Sequence, residues 1–69
     1  MIDTAKLRGK IVEKGFTQQE IAHKIGKTPK TFYAKMKKGV FNSDEILMMV
    51  EALEIDNPSE IFFANKVTR

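Results

Sequence analysis

The stretch that decides the fold reads TQQEIAHKIGKTPKTFYAKMKK and spans residues 17–38. Thr17 and Glu20 have the spacing of a capping box, in which each side chain accepts a hydrogen bond from the other residue's backbone amide. Gly26 suits a sharp turn with positive φ, and Thr28 followed by proline is typical of a second helix start. The stretch therefore predicts two short helices joined by a tight turn.

The apolar positions of this stretch fit two helices that cross closely. Ile21 and Ile25 lie one turn apart in the first helix. Phe32 and Met36 lie one turn apart in the second. Ala22 stands where the helices approach each other, because a larger side chain would push them apart. This order of apolar, small and glycine positions is the pattern of a helix-turn-helix.

Helix signals continue on both sides of this stretch. Asp3 or Thr4 can cap a first helix, and the segments that start at Asn42 and Asn57 repeat the capping-box pattern. Helix ends are marked by Gly15, Gly26 and Gly39. These signals predict helices at residues 4–14, 18–25, 29–38, 43–54 and 58–64. No run alternates at period two, so we expect an all-α chain.

Length and composition predict one small domain over residues 1–69. The chain is 42% hydrophobic and 30% charged, which is ordinary for a soluble globular protein. It has no cysteine, so disulfides and thiolate metal sites are excluded. The longest apolar run, residues 46–50, is far shorter than a membrane span. We expect a cytoplasmic protein that folds by packing alone and has no membrane partner.

Charge is distributed unevenly along the chain. Residues 1–40 carry ten Lys or Arg and three acids, whereas residues 41–69 carry two basic residues and six acids. Between Lys24 and Lys38 there are six lysines and no acid. A basic half joined to an acidic half predicts a polyanionic partner that binds one face.

The segment 15–26, together with Thr28 and Phe32, resembles the phage Cro and CI repressors, a family also called XRE or lambda-repressor-like. The five predicted helices fit the family's plan over nearly the whole chain. The resemblance implies a compact five-helix fold that binds pseudo-palindromic operator DNA as a dimer and regulates transcription. One position differs: the family usually has an apolar residue where this chain has Lys35, and Met36 takes its place.

The outer face of the predicted helix 29–38 holds the candidate base-reading residues. At about 100° per residue, Lys30 and Ala34 lie away from the core, and Thr31 and Tyr33 flank them. Lys30 can bond the edge of guanine, and the Thr31 or Ala34 methyl can meet a thymine methyl. Tyr33 either bonds a phosphate or packs on a neighbouring helix.

A second group of polar residues is placed to hold the DNA backbone. Gln18 opens its helix, where the resembled family holds a phosphate with glutamine and the helix amides favour an anion. Otherwise Gln18 is an exposed residue of the capping segment. The other phosphate candidates are Lys27, Lys35, Lys37, Lys38 and Asn42. Any one of these lysines otherwise belongs to a solvated surface.

Leu47 and Met48 break the apolar stripe of the fourth predicted helix, whose inner face is already filled by other apolar residues. With Phe62 and Phe63 they form a candidate surface for a weak or DNA-induced homodimer. The alternative is that the C-terminal tail, with Val67, folds back over them.

Groups that support catalysis do not occur in a recognisable pattern. His23, the single histidine, is expected on an exposed face without ligand-spaced partners, so neither a metal site nor a catalytic base is predicted. We expect no enzyme activity, no cofactor and no small-molecule ligand.

The sequence therefore predicts a Cro-like, phage or prophage regulator of transcription that binds double-stranded operator DNA in the bacterial cytoplasm or nucleoid. The alternative is a protein-interaction module of the same fold that binds a regulator, a toxin or a polymerase subunit through Leu47, Met48 and the last helix. The all-lysine stretch favours DNA, and salt dependence separates the two hypotheses.

Overall fold

A computed structural model describes residues 2–63, and these form five helices without a strand. The helices are α1 Thr4–Glu13, α2 Gln18–Lys24, α3 Pro29–Lys38, α4 Ser43–Leu53 and α5 Pro58–Phe62. The all-α prediction is confirmed, with helix ends within two residues of those expected. Residue 64, predicted in the last helix, lies outside the described range. Within that range, no helix is both long enough and apolar enough to cross a membrane.

Side-chain caps begin four of the helices, as the sequence predicts. The Thr17 hydroxyl accepts from the Glu20 amide at 3.1 Å, while Glu20 Oε1 accepts from the Thr17 amide at 2.8 Å. Asn42 and Glu45 form the same pair of bonds at 2.9 and 2.8 Å. The two simpler caps are those of Asp3 and Thr28. Each cap satisfies a backbone amide that the helix itself leaves without a partner.

The third predicted capping box, at Asn57, is wrong. Asn57 Oδ1 accepts from the Ser59 hydroxyl at 2.8 Å, and Asn57 Nδ2 donates to Glu60 Oε2 at 3.4 Å. The oxygen that would cap the helix is thus occupied by a hydroxyl, and α5 has no side-chain cap. Its position depends on other contacts, including a 2.7 Å bond from the Asp3 amide to the Ile61 carbonyl.

The turns after α2 and α3 depend on glycine. Gly26 has φ +75° and Gly39 has φ +73°, in the left-handed region that glycine enters without steric cost. After Gly26, the Lys27 amide donates back to the Ala22 carbonyl at 2.9 Å, which closes the turn between α2 and α3. The sequence prediction that these glycines end helices is confirmed.

The core draws side chains from every helix. Leu7, Ile21, Phe32, Met49 and Leu53 have no exposed surface. Burying one such side chain contributes about 1.5–3 kcal/mol, so these positions dominate the stability of a short chain. Three further core residues lie outside the helices and outside every predicted apolar stripe: Ile2, Phe41 and Ile55.

Glu54 is the one non-glycine residue with positive φ in the described chain, at φ 52° and ψ 49° after the end of α4. Left-handed backbone costs a residue with a Cβ about 1–2 kcal/mol. The side chain is 78% exposed and its carboxylate lies 3.3 Å from the Lys14 ammonium, a surface pair that contributes little.

We expect Glu54→Gly to raise the free energy of unfolding by about 1 kcal/mol and the melting temperature by about 4–8 °C, because glycine relieves the backbone strain. Thermal and urea denaturation measure both. Glu54→Gln is the matched control, since it removes the charge and keeps the strain. A glycine variant less stable than the glutamine variant would contradict this explanation.

Candidate nucleic-acid interface

The pair formed by α2 and α3 presents one face of α3 to solvent. Ala22 and Ile21 of α2 and Phe32 of α3 are fully buried, so the helices are held together through small and apolar side chains. Phe32 also packs against Phe41, with 5.5 Å between ring centroids. Because Phe32 and Met36 fix the inner side of α3, the exposed residues Lys30, Thr31 and Ala34 lie on its outer side.

A shallow concavity of about 480 Å³ lies along this outer side. Its lining residues are Lys30, Thr31, Ala34, Lys35, Lys38 and Val40. Three of the four predicted base-reading residues therefore share one surface with two lysines predicted to hold phosphate. Small side chains in the middle with lysines around them leave room for a ligand edge and attract negative charge.

Tyr33 does not line this concavity. It is 45% exposed, and its ring meets the ring of Phe32 edge-on, with 6.4 Å between centroids and 70° between planes. Packing of this kind is the arrangement that aromatic pairs prefer. The phenol thus has one edge on the core and one edge in solvent.

Val40 is a lining residue that the sequence analysis missed. It follows Gly39 in the loop after α3 and is 60% exposed. A loop valine belongs to no helical stripe, so periodicity gives no sign of it. The available signal was an apolar residue next to the glycine that ends a lysine-rich helix.

The predicted phosphate-binding residues form three pairs with different surroundings in the structure. Lys37 and Lys38 are exposed in the last turn of α3, where positive charge also suits the helix dipole. Gln18 is half-buried at the first position of α2, and Asn42 is exposed but uses its Oδ1 to cap α4. Lys27 and Lys35, the third pair, are partly exposed and lie beside a buried carboxylate.

Lys27 and Lys35 both lie beside the carboxylate of Glu45, which is only 1% exposed. Lys27 Nζ is 3.5 Å from Glu45 Oε2, and Lys35 Nζ is 3.4 Å from Glu45 Oε1. Oε1 also accepts from the Asn42 amide at 2.8 Å, whereas Oε2 has no hydrogen-bond partner within the described residues. In the sequence, Glu45 is recognisable only as part of the capping-box segment that starts at Asn42.

The carboxylate of Glu45 is stabilised in its charged form. Burial raises its pKa, but the hydrogen bond from the Asn42 amide and the ammonium groups of Lys35 and Lys27 lower it by more. The net result is a pKa below the ordinary value for glutamate. Glu45 is therefore ionised at neutral pH, and both lysines face a full negative charge.

The residues predicted to form a dimer surface are divided by the structure. Leu47 and Met48 are 62% and 41% exposed, and Phe63 is 52% exposed. The prediction for Phe62 is wrong, since its ring is buried in the core with 2% exposed. Met48 lines a concavity with residues of α2 and α4, whereas Phe63 lines an apolar groove with Val40. The C-terminal tail with Val67 lies outside the described residues.

His23 is exposed, and within residues 2–63 no group of three His, Asp or Glu side chains is arranged to hold a metal ion. No family model matches the chain, and neither the curated proteins nor the solved structures include a match. The geometry and charge of the α3 surface are therefore the observations from which a function is argued.

Glu45→Gln tests the ion pairs through the pH dependence of stability. Because the folded state lowers the pKa of Glu45, its contribution is present above the unfolded-state pKa of about 4.3 and is lost as pH falls through the lower folded value. We expect wild type to be the more stable protein at neutral pH and the difference to shrink as pH falls below about 4.3. Urea denaturation at several pH values measures this.

The control for that experiment is Glu20→Gln, at the equivalent capping-box position of α2. Glu20 is exposed and makes no ion pair among the described residues. Its variant should follow the wild-type pH curve closely. Parallel curves for wild type and Glu45→Gln would contradict the ion pairs.

Proposed function

We propose that this protein is a sequence-specific DNA-binding regulator of transcription, of the lambda-repressor-like helix-turn-helix type, and that α3 enters the major groove. The observation that supports this most strongly is the concave outer face of α3. It combines Lys30, Thr31 and Ala34 with Lys38 at the far end of the helix. The opposite face is immobilised in the core through Phe32, so the surface is rigid.

The dimensions and side chains of α3 suit the groove. A helix of about 10–12 Å diameter fits a major groove of about 12 Å width. The Thr28 hydroxyl donates to Thr31 Oγ1 at 3.0 Å, which restrains the Thr31 side chain, and the Thr31 methyl group is the proposed base contact. Ala34 and Val40 add further apolar atoms to the same surface. We therefore expect contacts with thymine methyl groups, and a guanine contact from Lys30.

The charge of the surface supports a polyanionic ligand. Lys30, Lys37 and Lys38 are exposed on α3 and make no ion pair among the described residues. Lys24 lies over the ring of Phe16, with 5.3 Å from its Nζ to the centroid. Lys37 and Lys38 are thus available to phosphates, and Lys30 is available to a base edge. Gln18 and Asn42 are the proposed neutral phosphate contacts.

Substitutions at the two ends of α3 test this function. Lys30→Ala should weaken binding to a selected operator by about tenfold or more, because a base contact is worth about 1–3 kcal/mol, and should change binding to mixed-sequence DNA much less. Lys38→Ala should weaken binding to both DNAs similarly and reduce the salt slope by about 1. Fluorescence anisotropy over a salt series measures each value.

Two results would contradict the proposed function. If folded wild type does not bind a short duplex at low salt, the surface is not a DNA interface. If it binds but Lys30→Ala and Lys38→Ala behave alike, α3 does not read bases.

A protein-contact surface on α4 is the second proposal, supported by the exposure of Leu47 and Met48. We infer that it joins two copies on a symmetric operator, as a weak or DNA-induced homodimer. A patch of this kind can also bind a different protein, which is the alternative function for this fold.

Leu47→Glu should lower operator affinity severalfold and leave binding to a single half-site unchanged, because it disrupts the contact between copies and no DNA contact. Val12→Glu is the matched control, since Val12 of α1 is 75% exposed and the charge change is the same. Sedimentation of the protein with operator DNA reports the stoichiometry. Equal effects of the two variants would contradict the dimer contact.

A further inference from the structure

Glu45 joins three segments of the proposed DNA-binding unit. It lies in the first turn of α4, and it contacts Lys27 in the turn before α3 and Lys35 within α3. We infer that Glu45 limits the sequence-independent affinity of the interface for DNA by holding Lys27 and Lys35 in ion pairs, which withholds both ammonium groups from DNA phosphates. This inference rests on the proposed function.

The position of Lys35 makes the ion pair consequential. Lys35 lines the same concavity as Lys30 and Lys38, so without Glu45 its ammonium would be available to the DNA backbone. In the structure its side chain is only 30% exposed, and that of Lys27 is 37% exposed. The other lysines of α3 are exposed. The lysines of this region thus form two classes, and contact with Glu45 separates them.

Burial makes the two ion pairs hard to exchange for phosphate contacts. The Glu45 side chain is 2% exposed with both lysines in place, so a lysine that leaves takes away one of the two positive charges beside it. Removing one partner from a buried carboxylate leaves a charge that is poorly compensated, which is strongly unfavourable. A phosphate that binds Lys35 must therefore overcome the attraction of Glu45. This cost is the same for every DNA sequence.

The contacts that Glu45 weakens are those with DNA phosphates. Binding to arbitrary DNA comes almost entirely from lysine–phosphate contacts, whereas discrimination comes from base edges. Withholding two lysines lowers affinity for all DNA and leaves Lys30 and Ala34 free to read bases. The affinity for DNA of arbitrary sequence is then lower than the lysine content of residues 24–38 suggests.

Glu20 shows that the capping box alone does not produce this arrangement. It occupies the same position in α2 and makes the same 2.8 Å bond to the amide of its capping residue. Yet it is exposed and has no ion pair among the described residues. Glu20→Gln and Glu45→Gln therefore remove the same charge from the same local motif, and only the second frees lysines.

The test measures the affinity of wild type and both variants for a mixed-sequence duplex of about 20 base pairs, over a salt series. Glu45→Gln should bind this duplex up to about tenfold more tightly at low salt, with a salt slope steeper by about 1–2, since up to two more phosphates are contacted. Glu20→Gln should stay within about twofold of wild type. Equal shifts in the two variants, or none, would overturn the inference.

A second measurement needs no DNA and reports the ion pairs directly. Limiting acetic anhydride, followed by mass spectrometry, compares amine reactivity in the folded proteins. Lys27 and Lys35 should react severalfold more slowly than Lys37 and Lys38 in wild type, and the difference should disappear in Glu45→Gln. Uniform reactivity in wild type would overturn the inference even if DNA binds.

Lysine variants keep the test valid if Glu45→Gln does not fold. In the wild-type background, Lys35→Gln should change the salt slope by less than half as much as Lys38→Gln. Equal changes would contradict withholding. Wild type that does not bind DNA would overturn the proposed function and the limit on DNA affinity with it, while slow labelling of Lys27 and Lys35 would still establish the ion pairs.

Discussion

The carboxylate of Glu45 is the one charged group buried among residues 2–63, and much of the arrangement around α3 depends on how it is satisfied. Its own backbone amide and one of its oxygens close the cap of α4 with Asn42. Its remaining negative charge is balanced by Lys27 and Lys35. A single side chain thus connects the start of α4 to the turn between α2 and α3 and to α3 itself.

This connection complements the apolar packing of α3. Phe32 and Met36 fix the inner face of the helix in the core, and Gly39 ends it with a left-handed residue. Glu45 restrains it from the side through Lys35. A helix restrained in this way presents its outer residues at fixed positions, which is what discrimination between bases requires.

Local chemistry was predictable from the sequence. The caps at Thr17 and Asn42 involve residues three positions apart, so the residue types at this spacing predict each cap. Both caps are present in the structure. The left-handed glycines and the apolar stripes also depend on residues that are close together in the sequence. The all-α class follows from them directly. Of the proposed site, the placement of Lys30, Thr31 and Ala34 on one face followed from helical periodicity.

The features that were missed depend on contacts distant in sequence. Nothing near Glu45 shows that two lysines from the preceding segments will meet over it and allow its burial. Phe62 is the last residue of α5 and Phe63 follows it; the helix is too short to have a clear stripe, and only packing determines that Phe62 is the buried one. At Asn57 the capping pattern was present, but the Ser59 hydroxyl occupies the oxygen that the cap needs.

The central claim is that α3 reads DNA sequence, and selection of bound sequences from a random double-stranded pool tests it most directly. The account predicts enrichment of a short motif, arranged as a pseudo-palindrome with half-sites about one helical turn apart. Guanine and thymine should be prominent within each half-site, in keeping with Lys30 and the methyl groups around Ala34. A folded protein that retains DNA from the pool without enriching any sequence would contradict the claim.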